Sequence, residues 1–415
     1  MKKIICLVIA ACLVLSASSV LAEGKEIDGG EVRNIQIQPA GENPVEEGVS
    51  PTTGRKLADV AAEAPEGAAG LAVTGRYMPV IAQIINVRKG VDNYAPLYGT
   101  CADIVYQSAL NAQGLDRMSM VFSDVIPPYA GFVRSTRPMH ILLRQEWDCA
   151  YVTSGWSDAD VPDVLKSLGI RNPMTTDKLS AEEPGFIYPS DAENNKSHPW
   201  KEYERRMTGR IVPGAPNNVV AELAALVNNL VPQDYVPRNH AFRFTDEKPE
   251  GGDEASFIYV TMTASDSTSD DNDTYSELEY DAETNTYFRY VYKNGTAVVY
   301  RENIPQDVEK LKINDENWFS VSDLVPGREI EFSNVIVQFT DYDWVDYNRP
   351  QTKMVDTGNA DYFMGGRHFR GVWQREDDNS RTVFYGEDGN EIELQRGRTL
   401  IIILDWEHYG RVSYE

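Results

Sequence analysis

Tyr129-Ala130-Gly131-Phe132-Val133-Arg134-Ser135-Thr136-Arg137-Pro138-Met139-His140 reads as a loop that runs straight into a helix. Ser135 or Thr136 would supply the N-cap side chain, and Pro138 then falls in the first turn, where a missing N–H costs nothing. Met139, Leu142, Leu143 and Trp147 follow at helical spacing and predict a buried face. Arg134 and Arg137 therefore bracket a helix N-terminus, whose free N–H groups and dipole favour an anion.

Upstream, Pro79 to Val87, Ala102 to Leu110 and Arg117 to Ser123 are strand-like apolar runs. Arg117 falls on the third run. Three guanidiniums converging on one helix start would hold a carboxylate or phosphate bidentately. Asp103 and Tyr106, on a neighbouring strand, are placed to orient them. The bland alternative is that Arg134 or Arg137 pairs with Asp103 and simply ties strand to helix.

Downstream, Cys149 to Ser154 reads as a short strand. Asp160 begins a helix through Leu168, and Asn217 or Asn218 begins another. These elements predict an α+β N-terminal domain with a mixed central sheet over residues 76–245. From Phe257 onward the chain alternates as strands, with Asn294-Gly295 and Asp388-Gly389 as turn signals. That predicts a smaller, mostly antiparallel β domain over residues 255–410.

Three further motifs carry weaker signals. His198, beside Trp200, is a general-base or stacking candidate, though a plain loop histidine is the commoner reading. Thr153-Ser154-Gly155-Trp156-Ser157 lacks the glycine order of a nucleophile elbow. Asp266 to Asp273 offers oxygens but misplaces the glycine and closing glutamate of a calcium loop, so it reads as a solvated insertion. The run Phe339 to Tyr347 alternates aromatics with acids and fits an edge strand with one packed face. No Cys/His spacing suits zinc, and nothing points to a cofactor or a resident metal.

The N-terminus has the form of an export signal. Lys2-Lys3 precede an apolar run from Ile4 to Leu15, and Val20-Leu21-Ala22 fits cleavage after residue 22. Residues 23–75 are rich in Glu, Gly, Pro and Ala with little periodicity, and predict a disordered tether. The formal charge is −25, and loss of the two leader lysines takes it to −27. So acidic a chain repels phosphate backbones, which excludes general nucleic-acid binding, and it does not adhere to anionic membranes by charge. Without the leader two cysteines remain, Cys101 and Cys149. Export permits a disulfide between them; two buried thiols are the alternative.

Several short matches then occur together. Val133-Arg134-Ser135-Thr136-Arg137 resembles the Val-Arg-Ser-Ala-Arg signature of the YerB-like family of bacterial envelope lipoproteins. Ala102-Asp103-Ile104-Val105-Tyr106, Asn334-Val335-Ile336-Val337-Gln338 and Tyr385 through Leu394 match further family patterns in order. The resemblance covers roughly residues 76–405 and implies two domains and an envelope location. It also implies a lipid anchor, for which Ile9-Ala10-Ala11-Cys12 has the right residue types, although simple secretion suits the continuing apolar run better. It places an arginine at Arg117 and a histidine near His198. Ile85, Gln107 and Thr153 stand where the family commonly carries Asp, Glu and His. An arginine-rich, carboxylate-poor pocket suits binding more than hydrolysis. The expectation is an exported protein that recognises a cell-wall component, an anionic ligand or an envelope partner. A hydrolase or transferase acting on a glycan or phosphoester is the alternative.

Overall fold

In a computed structural model of the protein, residues 24–43, 45–86, 94–111, 116–156, 160–168, 186–187, 202–238, 240–262, 275–293, 296–346, 349–408 and 410–415 are described. The segment expected to be an export signal, His198, the acidic run 266–273 and the Asn294-Gly295 turn lie outside them. The protein is mostly β, with mixed sheets and few helices.

Thr399–Asp405 decides the architecture. Its sequence, Thr-Leu-Ile-Ile-Ile-Leu-Asp, is buried at every position. A strand apolar on both faces belongs in the interior of a sheet, often with parallel neighbours. It pairs in parallel with Asn334–Thr340 on one side and with Ile104–Ala109 on the other. The N-terminal and C-terminal halves therefore share one eleven-stranded sheet rather than each closing its own. The same pairing corrects the expectation of a purely self-contained C-terminal β unit. Asp116–Phe122, Val80–Ile85 and Ala150–Val152 continue the sheet on the N-terminal side. Thr357–Met364 and Arg367–Gln374 continue it on the other.

Alternation along Ile104–Ala109 sends successive side chains to opposite faces. On one face Tyr106 accepts a hydrogen bond from Trp147 Nε1 at 2.8 Å, and Ser108 meets His140 at 3.1 Å. Both partners lie on the helix Pro138–Trp147, which covers this face. On the other face Gln107 Oε1 accepts from Ser276 Oγ at 3.0 Å. Ser276 belongs to Tyr275–Asp281, in a seven-stranded antiparallel sheet that packs there. Arg289 of the same sheet donates to Asn86 Oδ1 at 2.8 Å.

The sequence places a helix start at Asn217 or Asn218. Instead Val219–Ala221 is a strand, paired with Glu204–Thr208 and Ala130–Gly131, and the helix is confined to Leu223–Leu230. Two adjacent β-branched valines favour the sheet there. Among the described residues no helix is long and apolar enough to cross a membrane.

The tether expected over residues 23–75 is corrected as well. Lys25–Ile27 pairs with Arg411–Tyr414, and Leu57–Ala62 and Leu71–Thr74 are short helices. Arg33 reaches Asp361, which is fully buried, at 2.7 Å and donates to the carbonyls of Ala360 and Gly371. Gln38 N donates to Gly389 O at 2.8 Å. Gly389 has φ +77°, and a Cβ there would sit 2.1 Å from Gln36 O, so the close approach needs glycine. The later part of the segment adds Val60 and Ala69 to the core, whereas residues 24–43 dock mainly through polar side chains and backbone groups. Its composition therefore resembles a linker.

Cys101 and Cys149 are both buried free thiols, which corrects the disulfide alternative. Burial pushes each up to about 12. Their surroundings differ: Cys101 neighbours Glu302 and Arg398, whereas Cys149 Sγ donates to Arg144 O.

Arg33→Ala would leave the Asp361 carboxylate buried without its guanidinium, a loss of about 3–5 kcal/mol. Denaturant titration should show that loss, and hydrogen exchange should show residues 24–43 losing protection first. Unchanged protection there would refute the docking role.

Candidate functional site

The site assembles at one end of the central sheet. Arg134 N donates to Gln83 O at 2.8 Å, and Ile85 N donates to Phe132 O at 3.0 Å, so the loop before the helix lies along Val80–Ile85. The Arg134 carbonyl accepts from Thr153 Oγ1 at 3.0 Å and Ser154 N at 3.1 Å. Arg117 lies beside Ile85 and Ser108 in strand register, on the face covered by the helix. The sheet and the loop thus bring Arg117, Arg134 and Arg137 together.

Arg117 is 5% exposed. Its Nε has no hydrogen-bond partner, and among the described residues no carboxylate forms an ion pair with it. Burial, and then the charges of Arg134 and Arg137, push it down to about 9; Asp116 opposes this only in part. Asp116 accepts hydrogen bonds from Asn86 and Gln107, on the sheet face turned away from the helix. Arg134 is half-buried, is lowered by desolvation, and donates to Pro216 O at 3.2 Å.

The helix start differs in detail from the sequence reading. Arg137 occupies the N-cap position in extended conformation, and Pro138 is the first helical residue. Neither Ser135 nor Thr136 caps it. Ser135 Oγ donates to Ser154 O at 3.0 Å, and Thr136 Oγ1 meets the Tyr151 hydroxyl at 2.5 Å. The capping acceptor is His140 Nδ1, which takes the Arg137 N–H at 3.1 Å. With Nδ1 accepting, the neutral ring carries its proton on Nε2 and donates it to Ser108 Oγ. Burial first, then Arg117 and Arg137, hold His140 well below the ordinary histidine value. His140, Thr136 and Tyr151 are site residues that the sequence reading missed. The three-residue spacing of His140 from Arg137 was the available signal.

Tyr106 and Asp103 are elsewhere. Tyr106 is bonded to Trp147, at the far end of the helix. Asp103 precedes its strand at the end opposite Arg117, since Ile104 pairs with Val121 and Ser108 with Arg117. Its Oδ2 accepts from Ser123 N and Oγ at 2.7 Å and from Asp124 N at 3.1 Å. Neither orients the arginines, and Asp103 does not neutralise them. Asp103 and Asp124 instead form a buried acid pair, with Asp124 Oδ2 accepting from Thr53 Oγ1 at 2.9 Å. Burial raises both, and the Asp124 charge raises Asp103 further. The cavity beside them is about 30 Å³, room for about one water. His198 lies outside the described residues.

Residues 76–208 match the family model described as "protein of unknown function (DUF3048) N-terminal domain", and residues 266–401 match the corresponding C-terminal domain. The chain belongs to this YerB-like family. The crystal structure of the YerB protein from Bacillus subtilis superposes with a TM-score of 0.56 at 16% identity, covering 86% of this chain and 96% of that one. At that identity the likeness shows the fold. No curated protein matches the sequence.

The acid pair has a pH signature. Carboxyl groups raised in the folded state hold protons that the unfolded chain has released, so their contribution falls as pH rises above about 4. Asp124→Asn keeps an acceptor for Thr53 and removes the like charge beside Asp103. Denaturation midpoints between pH 4 and 8 should therefore decline less steeply in the variant. A slope equal to that of the wild type would show that the two acids do not repel.

Proposed function

We propose that this YerB-like protein is an exported envelope protein that binds an anionic group at the mouth of the Pro138–Trp147 helix and performs no catalysis there. One observation carries the reading: Arg117 is a buried guanidinium that forms no ion pair among the described residues, and its Nε has no hydrogen-bond partner. A buried charge costs several kcal/mol unless paired. Among the described residues other buried or part-buried arginines have partners: Arg33 has Asp361, Arg205 has Glu222, Arg375 has Glu146, and Arg398 has three backbone carbonyls. At the helix mouth the missing partner is supplied by a ligand, helped by Arg134, Arg137 and the helix dipole. The ligand would be a cell-wall component or an anionic group on an envelope partner. The export signal at residues 1–22 supports the compartment. The α+β character of the first half and the mostly antiparallel second half belong to the same reading.

A hydrolase or transferase would need a base at the cluster. Both nitrogens of His140 are already engaged, and Asp116, next to Arg117 in sequence, faces away across the sheet. The acid pair Asp103–Asp124 has the chemistry of a general acid, but its cavity is too small for a sugar ring.

Arg117→Met is the decisive variant. It replaces an unpaired buried charge by an apolar chain of similar volume, so the ligand-free protein should be as stable as the wild type, or more stable by about 1–4 kcal/mol. Wild-type protein should gain about 2.7 kcal/mol at a hundredfold excess of a binding anion over its Kd, and the variant should gain nothing. If the variant instead loses about 3–5 kcal/mol in the absence of anion, Arg117 is a structural ion and the reading fails.

A further inference from the structure

The reading above leaves the kind of anion open, and the arrangement of donors narrows it. Arg117 comes from a strand, Arg134 from the loop, and Arg137 from the helix start, so the guanidiniums approach from three separate elements. A carboxylate is planar and presents two oxygens, which one guanidinium fork satisfies. Three forks from three elements suit a tetrahedral group with three terminal oxygens. Charge points the same way. Among the described residues neither Arg117 nor Arg134 has a carboxylate partner. Within the described residues, two positive charges at the cluster are therefore not matched by a carboxylate. His140 adds none, because its Nδ1 accepts a backbone N–H and its remaining proton is committed to Ser108. Ser135 Oγ donates to Ser154 O and Thr136 Oγ1 meets the Tyr151 hydroxyl, so these side chains add no negative charge at the helix start.

We infer that the occupant is a dianionic phosphoryl group, free phosphate or a phosphomonoester, held between Arg117, Arg134 and Arg137. This rests on the anion-binding reading and adds geometry and charge to it. A monoester loses its second proton near pH 6, so it is a dianion at pH 7 and mainly a monoanion at pH 5. The arginines stay charged across that range, and His140 stays neutral. The pH dependence of binding therefore belongs to the ligand.

Calorimetric titration of the full protein with glycerol phosphate, inorganic phosphate, sulfate, a glycerol phosphodiester and acetate tests this. Glycerol phosphate should bind at least about tenfold more tightly than the diester or acetate, and about tenfold more weakly at pH 5 than at pH 7. Sulfate, a dianion at both pH values, should bind equally at both. Binding of inorganic phosphate with exclusion of the ester would assign the site to the free anion; binding of both would assign it to esters as well. Arg134→Gln, at a half-buried position that leaves the fold intact, should abolish the preference for dianions, as should Arg117→Met. Equal binding of acetate, diester and monoester would overturn the inference while leaving the anion site standing. Binding of none of them would overturn both.

Discussion

Parallel pairing of Thr399–Asp405 with Ile104–Ala109 is the constraint on which the rest depends. It joins sequence from the end of the chain to sequence near its start, and it buries an unbroken apolar strand in the middle of the sheet. With that strand in place, Ile104–Ala109 has a neighbour on each side and both its faces must be covered. The helix takes one face through Trp147 and His140. The antiparallel sheet takes the other through Ser276 and Arg289. The arginine cluster is a by-product of this layering. Arg117 lies two strands from Thr399–Asp405, on the helix-covered face, exactly one strand away from Ser108.

The distribution of charge gives the cluster its meaning. A heavily acidic chain has carboxylates to spare, and it uses them at several buried or part-buried arginines, while Arg398 is satisfied by backbone carbonyls instead. Arg375, completely buried, meets Glu146 and the Leu142 carbonyl, which pins the far end of the helix to the C-terminal half. Arg33 meets Asp361 and holds the N-terminal segment. Against that background no described carboxylate forms an ion pair with Arg117. The one acid adjacent in sequence, Asp116, is turned through the sheet by strand alternation and held there by Asn86 and Gln107.

Much of this was legible in the sequence. The apolar runs marked the central strands, and Pro138 with the periodic Met139, Leu143 and Trp147 marked the helix. The convergence of three arginines followed from placing Arg117 on a strand beside that helix. Three things were hidden for physical reasons. The shared sheet depends on a long-range pairing, and an apolar run does not name its partner. Residues 24–43 bind through Arg33, Asn43 and backbone groups, and the short helices after them add only small apolar residues and Val60 to the core, too little for a clear periodicity. Asp103 precedes its strand, and its side chain turns to Ser123 and Asp124 rather than to the helix, a local bend that alternation along the strand does not convey.

The departures from the family pattern bear on binding against catalysis, because each has a structural use here. Gln107, where the family commonly carries Glu, donates to Asp116 and accepts from Ser276, linking the two sheets. Glutamate there would lose the donor and bring a second charge beside Asp116. Thr153, where a histidine is common, donates to the Arg134 carbonyl and so fixes the arginine loop. Ile85 packs in register beside Arg117 and takes the loop's Phe132 carbonyl with its N–H. Of these three neutral residues, Thr153 and Ile85 hold the arginine loop, and Gln107 ties the two sheets together from the opposite face. On the proposed reading, a site that lacks proton carriers at these positions while its guanidiniums are held in place grips an anion rather than transforming it.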